Sequence, residues 1–237
     1  ADNNTAFGSC SLLANTTAGG NTAVGTNSLI TNTTGDGLVA IGANAMYANT
    51  TGSDNVTVGH SSLESNTTGG SNTAVGKQAL CANTTATNNV AVGTFTLNAN
   101  TTGASNTAVG RGSMITNTTG GRNVALGFDA LENNTTASFN TALGAQALYT
   151  NSTGASNTAV GLQALYNNTT ASNITAVGKQ ALVLNTTGAS NTAVGSSALE
   201  STTTGAGNTS IGFKAGCNIT TGSANVVIGD SSGADGS

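Results

Sequence analysis

Large apolar residues recur at a fixed interval along the chain, and polar runs rich in Asn, Thr and Gly separate them. Alignment of these runs gives thirteen repeats of 17 residues over 4–224, without an insertion or a deletion, and a partial fourteenth repeat over 225–237. The segment 72–88, NTAVGKQALCANTTATN, is a clear copy. A strict internal period is typical of architectures in which each repeat stacks on the next. We therefore predict one continuous domain over 1–237.

Two short runs within the repeat, numbered 1 to 17 from Asn4 onward, have the composition of β-strands. Position 4 in the first run, often TAVG at positions 2–5, is large and apolar in every repeat. Position 9 in the second run, positions 7–10, is Leu or Met in the first twelve repeats, and NTTG then supplies turn residues. Seventeen residues are too few for a helix pair. The pattern predicts an all-β fold, a single-chain β-solenoid (parallel β-roll) of about fourteen 17-residue coils with two short strands per coil.

Residues at one position of the repeat, taken over all repeats, are called a column, so that column 5 holds every residue at position 5. Four columns are nearly invariant and are candidate structural sites. Position 5 is Gly in all fourteen repeats, which predicts a corner with positive φ or with no room for a Cβ atom. Asn fills position 1 in twelve repeats and position 12 in the first eleven, and Thr fills position 14 in all thirteen complete repeats, so we expect side-chain ladders along the axis. The candidate turn glycines are Gly25, Gly42, Gly59, Gly76, Gly93 and Gly110. The candidate ladder residues are Asn32, Asn49, Asn66, Asn83, Thr34, Thr51, Thr68 and Thr85.

Strand alternation places the side chain of position 3 on the face opposite to those of positions 2 and 4. Because position 4 is large and apolar, we expect it to face the interior of the coil and position 3 to face outward. Position 3 is nevertheless small in almost every repeat. Two explanations stay open: a partner subunit or another layer packs against column 3, or the roll is so flat that both faces are internal.

The repeat motifs resemble those of a known family. NTAVG at 72–76, NVAVG at 89–93 and LVAIG at 38–42 resemble the head repeats of trimeric autotransporter adhesins. Longer NTAVGxxALxxNTTG arrays are similar to repeat regions of phage and viral tail fibres. The resemblance implies a left-handed parallel β-roll, a trimer as an alternative assembly, and a cell-surface or glycan target.

Composition narrows the function classes. Only 6% of the residues are charged and the net charge is -4, which excludes a basic nucleic-acid-binding surface. The single histidine, His60, and nine scattered acidic residues leave little for acid–base chemistry or a metal cage, so we expect no enzyme activity, cofactor or metal. No stretch approaches 18 apolar residues, so we expect no membrane span. The chain begins at Ala1 rather than Met and shows no signal peptide, which indicates a processed, mature form.

Some columns allow a functional interpretation beside the structural one. Eleven Asn-Thr-Thr or Asn-Ser-Thr sequons begin at position 12, the first at Asn15, Asn32 and Asn49, and would accept glycans in a secreted eukaryotic protein. A glycan on every coil would be crowded, so the turn ladder is favoured. The Thr column at position 14 allows an ice-binding protein as a third function. Tyr149 and Tyr166 share position 10 in adjacent repeats and are expected to stack.

The sequence favours a structural extracellular fibre protein, the subunit of a filament in which copies join head to tail. The alternative is an adhesin head or a viral tail-fibre shaft that acts as a binding module, and either function places the chain outside the cell or on the surface of a cell or virion. The partial repeat ends at its position 13, and residues 1–3 of another copy would fill positions 15, 16 and 17 of the same coil. The residues of this predicted junction are Ala1, Asp2, Asn3, Asp235, Gly236 and Ser237.

Overall fold

The computed structural model describes residues 2–231. They belong to two compact units, Ala1–Gly121 (unit 1) and Arg122–Ser237 (unit 2). Both units consist of parallel strands joined by turns and bends, and the described residues contain no helix. Each unit is a parallel β-solenoid with turns of 17 residues, which confirms the predicted fold class. The single continuous domain stays a prediction.

Every strand is three residues long and corresponds to positions 2–4 of a repeat. The strands of unit 1 are β1 (Thr5–Phe7), β2 (Thr22–Val24), β3 (Val39–Ile41), β4 (Val56–Val58), β5 (Thr73–Val75), β6 (Val90–Val92) and β7 (Thr107–Val109). The strands of unit 2 are β8 (Val124–Leu126), β9 (Thr141–Leu143), β10 (Thr158–Val160), β11 (Thr175–Val177), β12 (Thr192–Val194), β13 (Thr209–Ile211) and β14 (Val226–Ile228).

Successive strands within a unit pair in parallel, and equivalent positions of successive repeats are partners. Thr73 pairs with Val90 in unit 1, and Thr158 pairs with Thr175 in unit 2. Backbone hydrogen bonds between turns continue outside the strands, as between Gly37 N–H and the Gly19 carbonyl at 3.3 Å. A strict period without insertions allows this stacking, since each N–H finds the same acceptor in every turn.

The prediction of a second strand at positions 7–10 is wrong, because each described turn contains one strand, at positions 2–4. Positions 7 and 9 have left-handed backbone, with φ of 54° at Gln78 and 52° at Leu80. Left-handed residues two positions apart cannot continue the extended conformation of a strand. The segment still bonds to both neighbouring turns: Gln78 N–H donates to the His60 carbonyl and Leu80 N–H to the Thr96 carbonyl, both at 3.0 Å.

Column 3, and not column 4, lines the interior of the turns, so the predicted orientation of the strand is wrong. Ala74 is fully buried, whereas the column-4 residue is partly exposed in every turn and reaches 38% at Val58 and 42% at Ile211. Position 3 lies opposite position 9: a Cβ atom at Gly216 would lie 3.0 Å from Ser210 Oγ. Because the Leu side chains of column 9 fill this narrow interior, only a small side chain fits across from them. The small residues at position 3 therefore reflect a thin core. Neither explanation offered in the sequence analysis, an outside packing partner or a roll with two internal faces, holds.

Candidate functional site

The asparagines of column 12 form a buried amide ladder. Asn49 Nδ2 donates to Asn32 Oδ1 of the preceding turn at 2.9 Å and to the Gly52 carbonyl of its own turn at 3.0 Å. Asn66 and Asn83 donate to the preceding amide in the same way, at 2.8 Å each. Each of these amides links two turns and also closes the bend of its own turn.

This ladder occupies the atoms that a glycan would need. Asn32 and Asn49 are fully buried, and the Nδ2 atom of each, which would carry the sugar, donates two hydrogen bonds. The folded turns therefore leave no room for a glycan at these two sequons. Asn15, in the first turn, is half-buried, and its Nδ2 donates to the Ala18 carbonyl at 3.0 Å.

A second ladder runs along column 1 and connects the turns differently. Asn21 Nδ2 donates at 2.9 Å to the carbonyl of Gly35, near the end of its own turn. Asn21 Oδ1 accepts the N–H of Leu38, the first residue of the next turn, at 2.8 Å. The same two bonds recur elsewhere, as at Asn55 with 2.8 and 2.9 Å. A column-1 asparagine thus acts as a clip that closes one turn and holds the start of the next.

The hydroxyl ladder runs along column 13, one position before the predicted threonine column. Thr33 Oγ1 donates to the Thr50 carbonyl, and Thr50 Oγ1 to the Thr67 carbonyl, both at 3.0 Å. Adjacent residues in the bend point their side chains in different directions, so column 14 is turned to the surface. The predicted ladder residues Thr34, Thr51, Thr68 and Thr85 are all exposed. Ice binding by this column stays a prediction.

The glycines of column 5 meet two constraints at once. Gly76 has a φ of 133°, which L side chains rarely adopt. A Cβ atom at Gly76 would also lie 2.4 Å from the carbonyl oxygen of Gly93 in the next turn. The other candidate turn glycines have φ between 127° and 143°, and they are Gly25, Gly42, Gly59, Gly93 and Gly110.

Residues 2 and 3 lie in the register of the repeat, as the end of a turn that would precede the first one. The Asp2 carbonyl accepts the N–H of Gly20 at 3.1 Å, and the Asp36 carbonyl accepts the equivalent bond from Asp54 at 3.0 Å. Asn3 has a φ of 62°, close to the 59° of Asp54 at position 17. Asp2 and Asn3 therefore occupy positions 16 and 17. The remaining residues of the predicted junction lie outside the described residues, and they are Ala1, Asp235, Gly236 and Ser237.

The turns of β1 and β14 expose more apolar surface than other turns of their own units. In unit 1, Phe7 of β1 is 77% exposed, against 38% at Ile41 in the same column, and in unit 2, Ile228 of β14 is 68% exposed, against 42% at Ile211. Among the described residues, β1 pairs only with β2, and β14 pairs only with β13. The free edge of each strand therefore carries unpaired backbone groups next to an apolar side chain.

The outward side chains of positions 2 and 4 form one face of the sheet in each unit, which we call the outer sheet face. Position 2 is Thr or Val in every repeat, and position 4 is Val, Ile, Leu or Phe. Sequence analysis missed this face because it placed column 4 inside. The available signal was the exchange of Thr and Val at position 2, two β-branched residues of similar shape and different polarity.

Comparison of the chain with protein-family models, with curated proteins and with solved structures found no match. The resemblance to adhesin heads and tail fibres, and the left-handed sense that it implies, therefore stay predictions. The function of the chain has to follow from the geometry of its turns.

The side chains that could carry chemistry are scattered over the described residues. No three His, Cys, Asp or Glu side chains within residues 2–231 come together in a group that could hold a metal ion. No helix in the same residues is long and apolar enough to cross a membrane. Tyr149 and Tyr166 stack as predicted, with ring centroids 5.0 Å apart. Burial and the negative charge of Glu132, whose Oε1 lies 3.4 Å from the Tyr149 hydroxyl, raise the pKa of Tyr149.

Proposed function

We propose that the chain is the structural subunit of an extracellular fibre in which copies stack head to tail. The observation that carries this proposal is the position of Asp2 and Asn3, which form the last two residues of a turn ahead of the first repeat. The described part of the last repeat, residues 225–231, forms positions 1–7 of a further turn. Residues 2–3 of one copy and residues 225–231 of another therefore fit different positions of a single turn.

The free strand edges are complementary in the same way. β14 lies on β13 in the parallel register used throughout each unit, with Val226 opposite Thr209. A strand with the sequence pattern of β1 on the free edge of β14 would continue this register. Contact between the two edges would also cover Phe7 and Ile228, whose exposure would fall toward that of column 4 in the middle turns.

Asn225 is the clip that this junction would use. Its N–H and its Nδ2 donate to Asn208 Oδ1 at 3.0 and 2.9 Å. In the turns between the ends, the Oδ1 of a clip accepts the N–H at position 1 of the next turn. No such N–H reaches Asn225 Oδ1 within the described residues. In the fibre, the N–H of Asn4 from the next copy takes this place, since Asn4 is position 1 of its first turn.

A junction of this kind joins two different surfaces, so it propagates into an open filament instead of closing into a ring of two. Its strength comes from many small contributions, each hydrogen bond adding about 0.5–1.5 kcal/mol net. We place the fibre outside the cell or on a virion, in line with the resemblance of the repeats to adhesin heads and tail fibres.

Negative-stain microscopy of the purified 237-residue chain tests the proposal. We expect long thin filaments, and we expect deletion of residues 1–3 to abolish them while circular dichroism still reports a folded solenoid. Single short particles at every concentration of the unaltered chain would overturn the proposal. Undiminished filaments after the deletion would do so too.

A pair of matched substitutions tests the clip. Leu38 shows that Leu is tolerated at position 1. Asn225→Leu removes the clip at the junction and should raise the critical concentration for assembly about tenfold, the effect of losing one good hydrogen bond. Asn89→Leu removes an equivalent clip inside unit 1 and should lower the melting temperature without changing assembly. Equal assembly by both variants would contradict the role of Asn225.

A further inference from the structure

We propose that Asn173 is the acceptor of an N-linked glycan. Asn173 begins an Asn-Ile-Thr sequon over 173–175, which lies outside column 12. The residue occupies position 17, in the bend before strand β11, and its side chain is exposed. The proposal takes the extracellular location from the proposed function and does not depend on the head-to-tail junction.

The chain contains more sequons than the eleven of column 12. Seven others begin at positions 1, 11 and 17 of the repeat. They begin at Asn3, Asn55, Asn133, Asn167, Asn173, Asn208 and Asn218. Because all of them satisfy the same motif, the surroundings of each asparagine in the folded turns decide which of them can carry a sugar.

The fold uses most of these side-chain amides. Asn55 and Asn208 at position 1 are buried, and the Nδ2 atom of each donates to a backbone carbonyl at 2.8 Å. Asn133 and Asn167 at position 11 are half-buried, and the Nδ2 atom of each donates to a backbone carbonyl of the next turn at 3.0 Å. A sugar on any of these four atoms would displace a hydrogen bond that closes or connects turns.

Asn173 has a free side chain on a fixed backbone. Its amide makes no hydrogen bond within residues 2–231. Its backbone N–H donates to the Ala155 carbonyl at 3.1 Å, so the bend is held without the side chain. Position 17 in the preceding and following turns is Ser156 and Ser190, both exposed. These small neighbours leave room for a sugar on the amide.

Two further sequons begin at exposed asparagines toward the ends of the chain. Asn3 adjoins Ala1, which lies outside the described residues, and Asn218 Oδ1 accepts the Cys217 thiol at 3.8 Å. The proposal is therefore confined to Asn173, whose neighbouring turns are both described.

A sequon five residues before Asn173 gives the sharpest contrast. Asn168 begins an Asn-Thr-Thr sequon of column 12 and is fully buried. Its Nδ2 donates to Asn151 Oδ1 at 2.8 Å and to the Ala171 carbonyl at 3.0 Å. A sugar on Asn168 would break both bonds and keep its turn from closing. Folded molecules can therefore keep a sugar on Asn173 and cannot keep one on Asn168.

The modification is a glycosyl transfer without a redox change. Asn173 Nδ2 forms a bond to C1 of a sugar that is activated by a diphosphate group. The C1–O bond to the diphosphate breaks, the diphosphate leaves with the bonding electrons, and the amide gives up one proton. Thr175 supplies the hydroxyl group that completes the motif. The glycan would add a solubilising group to a chain in which only 6% of the residues are charged.

Co-expression of the full chain with a bacterial cytoplasmic N-glycosyltransferase, which transfers one glucose from UDP-glucose to sequon asparagines, tests the proposal. Peptide mass spectrometry locates the glucose in the total chain, extracted in urea, and in the folded fraction that survives protease. We expect glucose at both Asn168 and Asn173 in the total chain. In the folded fraction, Asn173 should keep its glucose. The share of chains modified at Asn168 should fall at least about tenfold there, the effect of losing one good hydrogen bond.

Three matched substitutions at position 2 sharpen the test. Thr175→Val removes the sequon and should abolish the glucose at Asn173 without disturbing the fold, because Val occurs naturally at position 2, as at Val90. Thr192→Val, the same change one turn later, is the control and should leave Asn173 modified. Val90→Thr completes a new sequon at Asn88, an exposed residue at position 17 of unit 1, and should add a glucose that folded molecules keep.

Folded molecules without glucose at Asn173 would overturn the proposal. Equal modification of Asn168 and Asn173 in the folded fraction, or glucose at Asn173 that survives Thr175→Val, would overturn it as well. Negative-stain microscopy of the same folded fraction separates this proposal from the fibre. Filaments of chains without glucose at Asn173 would count against the glycan alone. Modified chains that form no filaments, like the unmodified chain, would count against the fibre alone.

Discussion

Asn185 and Thr202 occupy position 12 of successive turns, and the amide ladder of column 12 stops between them. Thr202 Oγ1 donates to the Ile219 carbonyl of the following turn at 2.8 Å and supplies no donor to Asn185. Asn185 Oδ1 is therefore buried with no hydrogen-bond partner among the described residues. Every earlier bond of this ladder that reaches an Oδ1 comes from an asparagine one turn later, as between Asn168 and Asn185 at 3.2 Å.

Replacement of Thr202 by Asn should stabilise unit 2. The new Nδ2 would donate to Asn185 Oδ1 and relieve an unsatisfied buried acceptor, which costs about 1–3 kcal/mol. The bond from Thr202 Oγ1 to Ile219 is lost, and the Oδ1 of the new asparagine gains no amide donor because position 12 of the next turn is Ile219, so we expect the net increase in the free energy of unfolding to stay below about 1 kcal/mol. Guanidinium unfolding followed by circular dichroism measures it. Thr203→Asn, one residue further in column 13, is the control and should give no gain.

The period of the repeat was enough to predict the solenoid, the turn length and the stacking of equivalent positions. Each of these depends only on spacing, and spacing is visible in the sequence. The glycine at position 5 was predictable for a similar reason. No other residue accepts both the positive φ of Gly76 and the close approach of the Gly93 carbonyl.

The direction of the side chains was not predictable by the same route. A large apolar residue such as Val75 was placed inside because burial of apolar surface usually decides orientation. Here Leu80, whose φ is 52°, already fills the interior, and Ala74 is the residue that fits beside it. Leucine has no local preference for left-handed backbone, so this conformation comes from packing and leaves no signal in the repeat. The outer sheet face was missed for that reason.

A buried hydroxyl pair replaces two alanines in the fourth turn, and its two halves should respond unequally to substitution. Thr57 and Ser62 are fully buried and hydrogen-bonded to each other, and Ser62 Oγ also donates to the Gly59 carbonyl at 2.9 Å. Ser62→Ala leaves the Thr57 hydroxyl without this partner and should cost about 1–3 kcal/mol. Thr57→Ala leaves Ser62 its bond to Gly59 and should cost less.

The double substitution Thr57→Ala with Ser62→Ala restores the alanines found in neighbouring turns, such as Ala74 and Ala79. It should be close to neutral, so the double-mutant cycle should show a favourable coupling of at least about 1 kcal/mol. Chemical denaturation of the four proteins gives the cycle. Additive costs of the two single substitutions would show that the pair does not act as a unit.

Glycines at two positions of the repeat should differ in their tolerance of alanine. Gly76→Ala at position 5 meets the Gly93 carbonyl and requires a φ of 133°, so we expect a loss of about 3 kcal/mol or more. Gly207→Ala at position 17 is the control, because Ala224 occupies that position one turn later with a φ of 57° and a Cβ atom at Gly207 would come no nearer than 4.0 Å to any atom outside its adjacent residues. The control should cost only about 1–2 kcal/mol, the cost of left-handed backbone alone. Thermal unfolding of both variants measures the difference, and equal losses would contradict the special role of column 5.

The reactivity of Cys81 should depend on pH in a way set by its surroundings. Burial, with smaller contributions from Glu64, raises the pKa of Cys81 from 9.0 to about 11, and the Cys81 Sγ lies 3.7 Å from Glu64 Oε2. Since only the thiolate is nucleophilic, a shift of this size should make alkylation of Cys81 at pH 8 about a hundredfold slower in the folded chain than in urea. Peptide mass spectrometry of iodoacetamide-treated protein measures this, with the exposed Cys10 as the internal reference.

Removal of the Glu64 charge separates the two causes of that shift. Glu64→Gln should speed the alkylation of Cys81 only in part, because burial is the larger cause of the raised pKa and remains. Glu200→Gln, at the same position of another turn, is the control and should have no effect.

The raised pKa of Cys81 means that the folded state holds the thiol proton more tightly than the unfolded chain does. The stability it contributes is therefore complete below pH 9.0 and is lost as the pH rises through about 11. If folded Cys81 reacted at pH 8 as fast as it does in urea, the thiol could not lie beside Glu64 in a half-buried turn.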